Sequence, residues 1–241
     1  MEILLHVQLR TTTTTTLLVM IETMGGGDGL LVVSRVCASL VAILVLTWAL
    51  FFTTKPLNIY SVLHPLLMVI GLILISGEGI LVHRWLDGSR KRKKLVHLWM
   101  QGVALGTGII GIWTKFEPNF YTLHSWLGLL SVSLFGAQWL MGFISFWHRG
   151  EVRMSRMRVL PWHVFLGLYT YGLAVITAET GLLEKLTFLQ TNGVVLKRSS
   201  EAMIVNGLGL WLAMLCGVVI LTALTPKIFQ QQNSDTKCYT S

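Results

Sequence analysis

Charge is scarce in this chain. Only 12% of its 241 residues are Asp, Glu, Lys or Arg, while 53% are hydrophobic. A soluble domain carries about 25% charged residues, and the mean hydropathy of +0.66 points away from one as well. Cysteine is scarcer still, three in all, with Cys37 and Cys216 inside apolar runs and Cys238 in the tail, so a disulfide framework is excluded. The short segments of alternating polarity that build a membrane barrel are lacking too. The charge that exists is basic, +8 net with a pI near 9.7. It collects in short loops between apolar runs, where it acts as a topology signal rather than a nucleic-acid surface.

Apolar runs long enough to cross a bilayer, about 20 residues each, lie at 30–52, 62–83, 95–113, 122–147, 161–183 and 204–225. A backbone in lipid must satisfy its own polar groups, so these runs are helices and the chain is all-α. Pro65 and Pro161 fall where the first turn of a helix tolerates proline. The loop 84–94 (Arg84, Arg90, Lys91, Arg92, Lys93, Lys94) and the loop 148–160 (Arg149, Arg153, Arg156, Arg158) share one side and hold ten basic residues. The other side has five: Lys55, Lys115, Lys185, Lys197 and Arg198. The positive-inside rule puts the basic loops and both termini in the cytosol. Residues 1–29, with the Thr11–Thr16 run and Gly25–Gly27, read as a poorly structured cytosolic extension, 30–226 as one membrane domain and 227–241 as a cytosolic tail. Trp48, Trp85, Trp99, Trp113, Trp126, Trp147 and Trp162 lie near span ends, as an interfacial belt would.

Four of the seven histidines share one property: each sits in the first turn or so of a span. His64 and His124 open helices that start on the non-cytosolic side, and His97 and His163 open helices that start on the cytosolic side. Topology therefore sorts them into two pairs, one near each face. A single histidine at a span end is usually an interfacial anchor, and His83 and His148 read that way. Four of them, two and two across consecutive helices, mark function, because intramembrane ionisable groups are expensive. Zinc wants four protein ligands, or three and water, whereas haem iron needs only two axial ligands beyond its porphyrin. With no Cys-x-x-Cys-His, such haems would be non-covalent, the b type. Bis-histidine ligation leaves no open position for oxygen and implies electron transfer. Gly71, Gly77, Gly102, Gly106, Gly128, Gly136, Gly167 and Gly172 would leave room for a flat macrocycle or serve helix packing. A histidine- and glutamate-lined proton or metal transporter without haem is the alternative.

The runs HPLLMVIGLIL, KKLVHL, NFYTLHSWLG, PWHVFLG and TGLLEKLTFLQ resemble the cytochrome b561 family of ascorbate-reducible membrane cytochromes, most of all its plant members. The resemblance covers about residues 30–226. It implies a homodimer of six-transmembrane-helix bundles, with two b haems per chain in the four central helices. Cytosolic ascorbate would be the donor, and monodehydroascorbate or a ferric chelate on the far side the acceptor. It carries the axial ligands onto His64 with His124 and His97 with His163. It also implies that Arg84 and Arg90 lie near the cytosolic haem propionates and that Arg90, Lys94 and Arg156 surround ascorbate. Asn119, Phe120, Tyr121, Thr122 and Glu184 would contact the non-cytosolic haem. Ascorbate and propionates are anions, so cations suit them; Lys91, Arg92 and Lys93 read as orientation signals. The loop from Thr114 to Leu123 is shorter than the plant pattern and lacks its histidine. Either a vacuolar or other endomembrane, or the plasma membrane, fits the resemblance.

Overall fold

The computed structural model describes residues 26–52, 60–114, 121–148 and 153–225, and among them every element is helical. α1 is Gly26–Phe51. α2 comprises Tyr60–Met68, a wider π-helical stretch Val69–Ile75 and Ser76–Trp85. α3 is Arg90–Trp113; α4 is Leu123–Phe143, extended by a π turn at Ile144–His148. α5 is Arg153–Thr191 and α6 is Ser200–Leu224. All six are long and apolar enough to cross a bilayer. Three begin on hydroxyl caps that satisfy otherwise unpaired amides: Ser89 accepts from Arg92 N, Thr122 from Ser125 N and Ser199 from Ala202 N.

Several boundaries differ from the sequence reading. α1 already starts at Gly26, within the stretch taken as an extension, and α5 runs for 39 residues, well past 161–183 at both ends. Both prolines lie inside helices rather than in first turns. At Pro161 the preceding turns carry Arg156 and Arg158 and project beyond the apolar run, where water can take the carbonyl that proline leaves unpaired. The tryptophan belt holds for Trp99, Trp113, Trp126 and Trp162, all well exposed. It fails for Trp48, which is buried and donates from Nε1 to Glu201 Oε1 at 3.2 Å. Trp85 is also drawn inward, under the Arg35 guanidinium. Residues 1–25, Lys55, Lys115, Asn119, Phe120, Arg149 and the tail from Pro226 onward lie outside the described residues.

The helices pair antiparallel in sequence order: α2 with α3 and α4 with α5, while α1 and α6 pack on one another. Cys37, Val41 and Val45 of α1 meet Leu208, Leu212 and Leu215 of α6 in a core that also takes in Ile73 of α2 and Tyr171 of α5. A second cluster takes one residue from each of the four middle helices: Leu72, Ala104, Phe135 and Ala174. Each lies about midway along its helix. The cluster therefore divides the four-helix centre into two ends.

Candidate functional site

The four span-opening histidines meet in the two pairs that topology predicts. The rings of His64 (α2) and His124 (α4) have centroids 6.1 Å apart and stand nearly perpendicular, at 89°. Those of His97 (α3) and His163 (α5) are 6.2 Å apart at 72°. Imidazole nitrogen bonds a first-row metal at about 2.0–2.1 Å, and each nitrogen lies about 1.1 Å from its ring centre, so two imidazoles across one iron have centroids roughly 6.3 Å apart. Both pairs have that spacing.

Backbone carbonyls orient the rings. His64 Nδ1 lies 2.8 Å from Gly111 O, His97 Nδ1 2.7 Å from Gly79 O, and His124 Nδ1 2.9 Å from Thr177 O. A carbonyl can only accept, so each Nδ1 carries the proton and each Nε2 keeps its lone pair for a metal. The arrangement on α2 and α3 is reciprocal, with each helix presenting a glycine carbonyl to the other's histidine. His163 differs: its Nδ1 is buried with no hydrogen-bond partner among the described residues. Its backbone carbonyl accepts from Gln138 Nε2 instead.

On α4 and α5 the reciprocity is steric. A Cβ on Gly142 would come within 2.8 Å of His163 Cε1, and one on Gly181 within 2.7 Å of His124 Cε1. On each helix the histidine and the seating glycine are eighteen residues apart (124 to 142, 163 to 181), five full turns and hence the same face. Neither glycine was singled out from the sequence. Of the eight that were, Gly71, Gly77, Gly102 and Gly167 are packed against Thr107, Tyr171, Trp139 and Gln138. Only Gly106 and Gly172 have nothing within 4 Å of a built Cβ. Two of those positions thus border open space, while four serve helix packing.

The donor set fits haem iron better than a bare ion. Among the described residues no three His, Cys, Asp or Glu side chains converge as a metal ion would need, whereas two opposed Nε2 atoms suffice once a porphyrin supplies the other four nitrogens. The eukaryotic cytochrome b561 family matches residues 63–189, a stretch containing all four histidines.

The chain belongs to the cytochrome b561 family.

Among its relatives, "Probable transmembrane ascorbate ferrireductase 4" of Arabidopsis thaliana is 63% identical over 214 residues, 86% of this chain and 90% of that protein. "Transmembrane ascorbate ferrireductase 2" of the same plant is 45% identical, covering 83% and 93%. "Transmembrane ascorbate-dependent reductase CYB561" of Ovis aries is 39% identical over 65% of each chain.

The other residues that the resemblance to cytochrome b561 singled out are not all brought together. Lys94 lies one turn outward of His97, and its Nζ donates to Phe146 O at 3.4 Å; the Phe146 ring lies 5.2 Å from that of His163. Arg156, half-buried, precedes His163 by two turns, and Arg90 is exposed at the start of α3. Arg84 turns the other way, its Nη2 donating to Ala223 O of α6 at 3.5 Å. Thr122 uses its side-chain oxygen to cap α4, one residue before Leu123 and two before His124. Tyr121 and Glu184 are exposed. His83, read from the sequence as an interfacial anchor, has its ring 5.6 Å from that of His97. Glu78, unassigned from sequence, pairs with Arg35 of α1 at 3.5 Å, and Glu179 lies against Gly209 of α6.

Proposed function

We propose that His64 with His124 and His97 with His163 each hold one b haem, and that the protein moves electrons across the membrane between them. Transmembrane ascorbate-dependent electron transfer, an oxidoreductase activity, is what its ferrireductase relatives are named for. The observation that carries the reading is the iron-spanning separation of both histidine pairs, 6.1 and 6.2 Å. When bound, each haem would supply a one-electron iron couple.

The chain's own residues hold the rings, shield the centre and attract the donor. Carbonyls of Gly111, Gly79 and Thr177 hold three imidazoles in the ligating tautomer. Leu72, Ala104, Phe135 and Ala174 keep the space between the layers apolar. On α3, His97 and Gly111 are fourteen residues apart, about 21 Å at 1.5 Å per residue; the eighteen residues on α4 give about 27 Å. Both layers are thus inset from the two faces of a crossing of roughly 30 Å, so no single step spans it whole.

Lys94 and Arg156 flank the His97–His163 layer and suit an anionic donor, cytosolic ascorbate. Arg90, four residues before Lys94, shares its side of α3. Arg84 belongs with this group only through the resemblance, since its guanidinium caps α6. Monodehydroascorbate or a ferric chelate on the His64–His124 side is the acceptor, with Tyr121, Thr122, Glu184, Asn119 and Phe120 as the haem contacts there. Both termini face the cytosol, and two chains form the working dimer.

Vesicles loaded with ascorbate, with the basic loops inward, test the reading. They should reduce external ferricyanide, and His64→Ala should abolish that while internal ascorbate still reduces the remaining haem. Transfer at the wild-type rate in His64→Ala would overturn the two-site relay.

A further inference from the structure

The two histidine layers differ in what else their carbonyl partners bind. Gly111 O, which accepts from His64 Nδ1 at 2.8 Å, also accepts the Thr114 hydroxyl at 2.7 Å. Thr177 O, which accepts from His124 Nδ1 at 2.9 Å, also accepts the Thr180 hydroxyl at 2.9 Å. Each threonine stands three residues after the carbonyl it shares, on a different helix, and both flank the same histidine pair. The other pair has no such feature among the described residues. Gly79 O accepts from His97 and, within its helix, from the His83 amide, but the residue three further on is Val82 and offers no hydroxyl, and His163 Nδ1 has no partner among the described residues.

The electronic consequence follows from ordinary hydrogen bonding. An imidazole that donates strongly through Nδ1 gains anionic character, gives more electron density to iron through Nε2 and favours the ferric state. A second donor on the same carbonyl oxygen draws density from it and weakens its pull on the imidazole proton. Gly111 lies in the last turn of α3, where the His64 ring and the Thr114 hydroxyl are its donors among the described residues.

We propose that Thr114 and Thr180 are positioning residues that raise the potential of the iron held between His64 and His124, without touching that iron's ligand set. This rests on the ligand assignment above. It makes electron arrival at the acceptor side more favourable, and it does so at one haem only.

The test is a spectroelectrochemical titration of full-length, haem-loaded protein, read with the low-spin electron paramagnetic resonance signals. Thr114→Val and Thr180→Val keep the side-chain shape and remove the hydroxyl. Each should move to more negative potential the haem that is lost in His64→Ala, and the double variant should move it further. In the double variant the reduced-to-oxidised ratio at fixed ambient potential should fall by about threefold, a smaller effect than the roughly 10–100-fold loss of metal affinity or activity that removing such a partner outright typically causes. Thr→Ser at each site should restore the wild-type value. Thr222→Val, which removes a comparable hydroxyl bond to Val218 O on α6, should move neither haem. Thr→Ala is read in parallel, so a poorly folding Val variant does not end the experiment. The proposal is overturned if both potentials stay at wild type, if both haems shift together, or if Ser shifts as much as Val. Haem content separates this from the ligand reading: two haems with unmoved potentials sink only the tuning, whereas His64→Ala that keeps two haems sinks the assignment itself.

Discussion

The positions of the His163 and His124 rings depend on the backbone of the facing helix as much as on their own side chains. Each ring rests on the bare backbone of the facing helix, at Gly142 and Gly181, with no room for a methyl group. Overpacking of this kind costs about 1–3 kcal/mol, and here it would displace the histidine ring that it strikes. Gly142→Ala is therefore expected to lower haem content at the His97–His163 site, and Gly181→Ala at the His64–His124 site, measured as the haem-to-protein ratio with the surviving haem identified by its spectrum. Equal loss at both sites in either variant would mean general misfolding. Lys94 makes a separate prediction. Its ammonium is held near the His97–His163 layer by Phe146 O. Lys94→Ala and Arg156→Ala should slow reduction by ascorbate while leaving small uncharged reductants near their wild-type rate. The pairing of these histidines by depth was readable from sequence; the glycines beneath the rings were not, because in a helix rich in small residues nothing local distinguishes a ring seat from a packing contact.

Among the elements, α1 and α6 form the backing layer and the antiparallel pairs α2–α3 and α4–α5 carry the chemistry. α1 is tied to α2 by Arg35 and Glu78, whose side chains are 48% and 29% exposed. Arg35 also covers the Trp85 ring, 5.5 Å from its centroid. Polar contacts within membrane bundles couple by about 0.6 kcal/mol on average in double-mutant cycles. A cycle of Arg35→Leu and Glu78→Leu, read by unfolding in detergent, should return a coupling of that order. A coupling of zero would make the pair incidental. Span positions were legible as apolar runs, whereas the hydroxyl caps at Ser89, Thr122 and Ser199 were not singled out. The length of α5 was not legible, since its first turns are amphipathic and basic and read as loop. Nor was the widened stretch Val69–Ile75, where Gly71 lets α3 approach so closely that any Cβ would strike Thr107.

For the whole molecule, the decisive feature is asymmetry across the membrane. Basic side chains gather at the His97–His163 end. The attraction of an anionic donor to such a surface falls with ionic strength, because the Debye length shrinks from about 10 Å at 0.1 M salt to 3 Å at 1 M. Raising salt should therefore slow ascorbate reduction of the wild type, and much less that of Lys94→Ala/Arg156→Ala. A salt dependence unchanged in the double variant would place the donor elsewhere.

Composition and the length of the apolar runs alone determined that this chain crosses a membrane six times as helices, because lipid leaves the backbone no other way to satisfy itself. The position of each histidine in its run, with alternating helix direction, then determined that two histidines share each depth. What sequence could not determine is anything that depends on the angle of one helix about its axis relative to another. That angle decides that Arg84 reaches Ala223, that Trp48 turns inward to Glu201, and that Gly142 and Gly181 face histidine rings. It also brings Thr114 and Thr180 onto carbonyls already shared with His64 and His124. Helix rotation is set by side-chain interlocking across the whole bundle, a sum of many small contacts between residues far apart in the chain, so only the tertiary structure decides it.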